Sequence, residues 1–323
     1  MNLQGIYHNL KKDLQVVEAA LVQSVQTNHE QLFASASHLL KAGGKRMRPV
    51  FVLLSGHFGK YEIEKLRQVA VTLELIHMAS LVHDDVIDNA RTRRGRKTVK
   101  AEWDNRVAMY TGDFIFARAL EEITRIKNPD VQQILSTAIM RMCQGEIEQI
   151  KDLYNSDQSL RRYLHRIKRK TALLMAVSCQ LGALVSGAVP EIVRNLNAYG
   201  YYVGMAFQLT DDVLDLTGEE ETLGKPAGSD LRQGNVTLPV IYSLAYASPS
   251  EREKILAYLH SRGKEGSVEE MIAIVQKTGG VEYTLQLSKR YLQKAINSLE
   301  CLPFTHERES LRMIAEFIVT RSY

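Results

Sequence analysis

Twenty consecutive residues without a charge, Thr171 to Pro190, set the hardest limit on what this chain can become. A helix of that length is long enough to cross a bilayer. Its content argues otherwise: Ser178, Gln180, Gly182, Ser186 and Gly187 interrupt the apolar residues, and the charged, periodic stretch Arg161 to Lys170 leads straight into it. A helix apolar on every side must then be enclosed by other helices, so the run predicts the centre of a large bundle. The rest of the chain has the material to enclose it. Of 323 residues, 45% are hydrophobic and 24% charged, the balance of a soluble globular protein with an ample core.

Helical periodicity runs through nearly the whole sequence, and strand signals are almost absent. Leu10, Leu14, Val17, Leu21 and Val25 share one stripe of a helix over 7–25. Ser35 to Leu40 forms a short helix stopped by Gly43-Gly44, and another begins at Val50, where Pro49 suits a first turn. One long helix covers 62–88, followed by a loop rich in Arg and Gly. Further helices are predicted over 98–127, 130–155, 158–188, 190–217, 237–247, 250–261, 268–278, 280–300 and 306–321. No proline interrupts any of these helices. With no Pro/Ser-rich linker, the expected organisation is one all-α domain over 1–323. The least helical interior stretch, Gly218 to Asn235, is a plain connection or a lid, and its position directly after an acidic cluster favours the lid.

Several function classes are excluded early. A net charge of +4 is too slight to imply nucleic acid, and the basic run Arg91 to Lys97 carries no interleaved aromatic. Cys143, Cys179 and Cys301 are far apart and form no Cys-x-x-Cys pair, which argues against a zinc site or a disulfide framework and fits a reducing cytoplasm. Met1 to Leu10 lacks the charged start and apolar middle of a signal peptide.

The chemistry concentrates in two acidic strings, Asp84-Asp85-Val86-Ile87-Asp88 and Asp211-Asp212-Val213-Leu214-Asp215. Within each, the first and last aspartates are four residues apart and share a helix face, where like charges repel. A single string of this kind usually lies on a solvated face. Two copies, each embedded among apolar neighbours such as Leu81 and Val82 or Leu209 and Leu216, call for cations instead. Mg²⁺ is the natural filling, since it takes oxygen ligands, keeps some waters and commonly bridges one or two carboxylates to phosphate. The two strings are therefore expected to face each other across the bundle around a diphosphate.

The cations such a diphosphate needs are present. Gly43-Gly44-Lys45-Arg46-Met47-Arg48-Pro49 runs a glycine turn into a helix start, either a basic surface turn or a phosphate cradle in which Lys45 and Arg48 supply charge-assisted bonds. His77 lies two turns before Asp84 on the same face, either a satisfied core histidine or a phosphate donor. Arg93 and Arg94 follow the first string closely enough to reach back over it. Lys170-Thr171, Gln208 and Lys225 are unremarkable one by one.

Taken together, these motifs, with Leu81 to Asp88, Arg93-Arg94-Gly95, Lys170-Thr171 and Gln208 to Asp215, resemble the trans-prenyltransferases, the isoprenyl diphosphate synthases, over about residues 40 to 245. The resemblance implies an all-α, single-domain bundle of the isoprenoid synthase type. It further implies that Asp84, Asp88 and Asp211 bind Mg²⁺, with Asp85, Asp212 and Asp215 supporting them. Lys45, Arg48, His77 and Arg94 would hold the diphosphate of isopentenyl diphosphate. Arg93, Lys170, Thr171, Gln208 and Lys225 would hold that of an allylic partner such as farnesyl diphosphate. Asn235 stands where many relatives carry Lys, which weakens any further phosphate contact there. A narrower set, Ala108 to Asp113, Gly145 to Ile150, Gly224-Lys225-Pro226 and Asp230 to Pro239, resembles the large catalytic subunits of two-component long-chain synthases. That implies a small non-catalytic partner subunit, a product of seven isoprene units for the side chain of menaquinone, and a peripheral membrane contact for product release. The rivals are a homodimeric synthase making six, eight or nine units and, from another class, a non-catalytic regulatory subunit; the latter should have lost an acidic string or the cations, and neither is lost.

Product length is read from the helix preceding Asp84. The growing tail should pass Ser80, Ala79 and Ile76, and short-chain relatives place an aromatic ring four or five residues before the first aspartate, where this chain has Ala79 and Ser80. Ala79→Phe or Ser80→Phe is therefore expected to shorten the product; reversed-phase chromatography of the dephosphorylated chains would show it, and an unchanged length would remove this account.

Overall fold

The computed structural model describes residues 3–93, 95–218 and 226–320. Among these the fold is helical almost throughout, as the periodicity requires. Pro190–Thr217 has the predicted bounds, and Leu238–Tyr246, Pro249–His260, Val268–Lys277, Gly280–Glu300 and His306–Thr320 lie within a residue or so of theirs. Glu30–Lys41 and Met47–Gly56 begin several residues before the predicted starts. Pro129, Pro190 and Pro249 each open a helix, where the missing N–H is no loss.

The departures have local causes. The helix expected over 7–25 is two, Leu3–Asn9 and Lys11–Ser24. The one expected over 98–127 is divided into Val99–Glu102 and Asn105–Thr124, because Trp103 leaves helical dihedrals and the Asp104 carboxylate caps the next helix by accepting from the Val107 amide at 2.8 Å. The Arg/Gly-rich loop contains a small antiparallel ladder, Thr92–Arg93 against Arg96–Lys97, with Gly95 at φ +73°. The stretch predicted as one helix over 158–188 is Leu160–Ile167, a five-residue π-helical turn at Lys168–Ala172, and Leu173–Val185. Within Gly218 to Asn235 a short helix forms at Ser229–Arg232; residues 219–225, including Lys225 of the expected lid, lie outside the described residues.

The chain divides into two compact units. The first comprises the chain up to Ile139 with Val177–Asn197 and Cys301–Met313. Its axis is Ile63–Ile87, buried on every side from Val69 to Ile76, which packs most extensively on Asn105–Thr124. At that crossing Gly112 lies against the His83 ring, where any Cβ would collide. The Val177–Val185 part of the uncharged run is enclosed here as expected, with Val177, Cys179, Leu181 and Ala183 buried and Gly182 against the Val52 carbonyl oxygen. Among the described residues no helix is long and apolar enough to cross a membrane.

The second unit comprises Met140–Ala176, Ala198–Glu300 and the chain from Ile314. One of its apolar clusters gathers Tyr163, Ile167, Ala172, Met205, Leu209 and Leu238 beneath the second acidic string. Another, from Val213 to Val281, holds the helices that follow. Gly204 sits against Ala172, its absent Cβ allowing Pro190–Thr217 to approach the π turn.

Replacing glycine by alanine inside a helix ordinarily stabilises by about 1 kcal/mol. At Gly182 the new Cβ would fall inside van der Waals contact of backbone, so the sign reverses: Gly182→Ala is expected to destabilise by roughly 1–3 kcal/mol, measured as the urea midpoint at constant m.

Candidate active site

In the first unit, the Ile63–Ile87 helix ends in the first acidic string, with Asp88 as its C-cap donating its N–H to the Asp84 carbonyl at 2.8 Å. The three carboxylates do not share one environment. Asp85 is 2% exposed and accepts from Arg93 Nε at 2.9 Å and Nη2 at 2.7 Å. Burial raises the Asp85 pKa, and the Arg93 guanidinium opposes that rise. Asp84 and Asp88 are half-buried. The two-stranded ladder is what brings Arg93 back: the Ala90 amide donates to the Asp85 carbonyl at 2.9 Å and the Thr98 amide to the Arg91 carbonyl at 3.0 Å, closing the loop on the helix end. Arg94 lies outside the described residues.

His77 is half-buried two turns before Asp84. Ile76 and Ala79 are buried, and the Ser80 hydroxyl donates to the His77 carbonyl at 2.8 Å. His83 faces Asn105–Thr124, its Nε2 3.2 Å from the Met109 carbonyl and 3.4 Å from Asp113. In the glycine turn, Gly43 at φ +70° and Gly44 at φ +151° lead into Met47–Gly56, with Lys45 exposed and Arg48 half-buried.

In the second unit, the last turns of Pro190–Thr217 carry the second string, and here the middle and last carboxylates are both buried. Asp212 is 2% exposed; the Tyr163 hydroxyl donates to it at 2.5 Å and the Gln208 amide at 2.9 Å. The Thr171 hydroxyl in turn donates to the Gln208 carbonyl oxygen at 2.6 Å, so Thr171 and Gln208 form one hydrogen-bonded chain ending on the carboxylate. Burial, followed by the nearby Asp230 charge, pushes Asp212 up to about 7, against the pull of its two donors and Arg166. Asp211 is half-buried. Asp215, 3% exposed, accepts from the Asp230 amide at 3.1 Å and so ties Ser229–Arg232 to the helix end.

Lys170 lies in the π turn, which the Gly145–Gln149 motif holds in place. Gly145 is pressed against Arg169, Glu148 pairs with Arg169, and Gln149 accepts from Lys170 Nζ at 2.9 Å with Glu146 at 3.8 Å. Sequence reasoning missed Tyr163, Glu148 and Gln149 as parts of this network. The signal for the latter two was a motif noted only for its resemblance; Tyr163, inside a basic helix, gave none.

Among the described residues no group of three or more His, Cys, Asp or Glu side chains is close enough to hold an ion unaided. With Asp85 and Asp212 committed to protein donors, each string offers one or two half-buried carboxylates. That donor set suits a hard ion that keeps waters and takes its remaining oxygens from phosphate, and does not suit an all-protein cage.

Residues 29–275 match the model of the polyprenyl synthetase family. The chain is 54% identical to heptaprenyl diphosphate synthase component 2 of Geobacillus stearothermophilus, the alignment covering 100% of both. The crystal structure of heptaprenyl diphosphate synthase from Staphylococcus aureus superposes with a TM-score of 0.92 at 41% identity, covering 97% of this chain and 99% of that one. A polyprenyl synthase from Caulobacter crescentus, complexed with calcium and isoprenyl diphosphate, gives 0.93 at 32% identity over 99% and 98% of the two chains. With its all-α architecture and both acidic strings, the chain belongs to the polyprenyl synthetase family of trans-prenyl diphosphate synthases.

Proposed function

We propose that this chain is the catalytic subunit of a two-component heptaprenyl diphosphate synthase, adding isopentenyl diphosphate head-to-tail to farnesyl diphosphate in the cytoplasm, for a menaquinone side chain. The single observation that carries it is the full-length identity of 54% to a relative named as component 2, a name that presupposes a component 1. Both units act, in this proposal, as one polyprenyl synthase domain.

Asp84, Asp88 and Asp211 would hold Mg²⁺, which when bound supplies positive charge for the departing allylic diphosphate. Asp85 and Asp212 support them from within the protein, Asp85 by fixing Arg93 and Asp212 by anchoring the helix end through Tyr163 and Gln208. Arg93, Lys170 and Lys225 add charge on the allylic diphosphate; Thr171 and Gln208 shape its surroundings. Lys45, Arg48, His77 and Arg94 hold isopentenyl diphosphate. Breaking the allylic carbon–oxygen bond gives a carbocation and free diphosphate. The isopentenyl double bond attacks the cation, forming the new carbon–carbon bond, and a proton leaves to the diphosphate. Charge stabilisation in a water-poor apolar site makes the ionisation accessible. Ile76, Ala79 and Ser80 line the path of the tail.

The test is a product assay with farnesyl diphosphate, labelled isopentenyl diphosphate and Mg²⁺, run with and without the small component of a relative. Heptaprenyl diphosphate formed only with both components is expected; six, eight or nine units from this chain alone would replace the proposal with a homodimeric synthase. Asp84→Ala and Asp211→Ala should each lower kcat by roughly 100-fold or more, without change in the urea midpoint. Tyr163→Phe should instead cost about 1.5–3 kcal/mol of stability, since it strips a donor from a buried carboxylate.

A further inference from the structure

The turn that carries Lys45 and Arg48 has little stiffness of its own. Gly43, Gly44 and Arg46 all have positive φ, and glycine backbone is free to move among many conformations. Between the two cations assigned to substrate stands Arg46, which is only 9% exposed and held at φ +46°, a left-handed conformation costly for a non-glycine residue. Each of its three guanidinium nitrogens has a partner. Nε donates to Glu18 Oε1 at 2.5 Å, Nη2 lies 3.3 Å from Glu18 Oε2 and 3.5 Å from the Leu40 carbonyl, and Nη1 donates to Glu74 Oε1 at 3.0 Å. Three helices, Lys11–Ser24, Glu30–Lys41 and Ile63–Ile87, are thereby tied to one side chain. Glu74 is 3% exposed, its Oε2 has no hydrogen-bond partner, and it lies one turn before His77 on the same helix.

A second brace comes from the N-terminal helix. The Tyr7 hydroxyl donates to the Lys45 carbonyl and lies 3.2 Å from Met47 Sδ. Burial, and after it the Glu74 charge, push the Tyr7 phenol up to about 12, so it remains a donor at any working pH.

We propose that Arg46 is a positioning residue for isopentenyl diphosphate: its pair with Glu74 sets the spacing between the Lys45–Arg48 turn and His77, so that three cationic or donor groups converge on one diphosphate. The inference rests on the prenyl-transfer function proposed above. A lysine cannot replace this arginine, because only the planar fork reaches two carboxylates and a carbonyl at once.

The decisive variant is the double substitution Arg46→Met with Glu74→Met, which removes the pair without leaving a buried charge. Arg46→Lys, which keeps the charge and loses the fork, is measured beside it. The readouts, taken in the presence of the small component, are KM for each substrate, kcat, and the Kd of isopentenyl diphosphate as the sole substrate by calorimetry. Misplacing the turn should raise both KM and Kd for isopentenyl diphosphate about tenfold or more and leave KM for farnesyl diphosphate within about twofold, with Arg46→Lys intermediate. A folded double variant with wild-type Kd, or with equal losses for both substrates, overturns the inference. Should wild-type protein with the small component bind isopentenyl diphosphate yet transfer nothing, the proposed function fails and the Kd comparison still decides the role of Arg46. If the double variant does not fold, Arg46→Lys decides by the same Kd; if wild-type protein does not bind isopentenyl diphosphate, both proposals fall.

Discussion

Three carboxylates within five residues at a helix end repel one another, and the way that repulsion is relieved organises both halves of this molecule. In each acidic string the middle aspartate is turned into the protein and given donors of its own. For Asp85 the donor is a guanidinium, returned to the helix end by a two-stranded ladder. For Asp212 the donors are a tyrosine hydroxyl and an amide, which supply no full charge, and burial raises its pKa accordingly. Asp84 and Asp88 remain half-buried in the first string and Asp211 in the second, where Asp215 is buried as well, a division of labour that adjacent identical residues do not announce.

Glycines at helix crossings supply the second constraint. Gly112 under the His83 ring, Gly145 under Arg169, Gly182 at the Val52 carbonyl and Gly204 at Ala172 all lie in helices and all mark places where a side chain would collide, with a neighbouring side chain at the first two and with backbone at the last two. Each crossing sits within a turn or two of a residue the chemistry needs, or in the run that forms the buried interior. Close approach there converts helix packing into control over side-chain position.

Much of this was legible beforehand. The uncharged run demanded enclosure, and the Pro190–Thr217 bounds followed from a proline start and an acidic end. The two acidic strings, the basic turn and Lys170-Thr171 were visible as residues. What the sequence withheld was pairing at a distance. Asp212 meets Tyr163 across 49 positions and Arg46 meets Glu74 across 28, and no periodicity connects such partners. The break at Trp103–Asp104 was different, since an aspartate cap was available to be seen and the apolar pattern on both sides overrode it. The short ladder at 92–97 escaped because two-residue strands carry no alternation.

The π turn at Lys168–Ala172 has a consequence for how this protein can vary. A π turn accommodates one residue more than the α-helical repeat allows, and it does so between Tyr163 and the apolar helix that follows. Each residue advances a regular helix by about 100°, so a one-residue deletion in the α-helical turns on either side would swing Tyr163 away from Asp212. Within Lys168–Ala172 the same deletion would let the turn revert to ordinary α-helical spacing, and both flanks would keep their phase. Tolerance to a change of length in this segment is thus concentrated at the π turn.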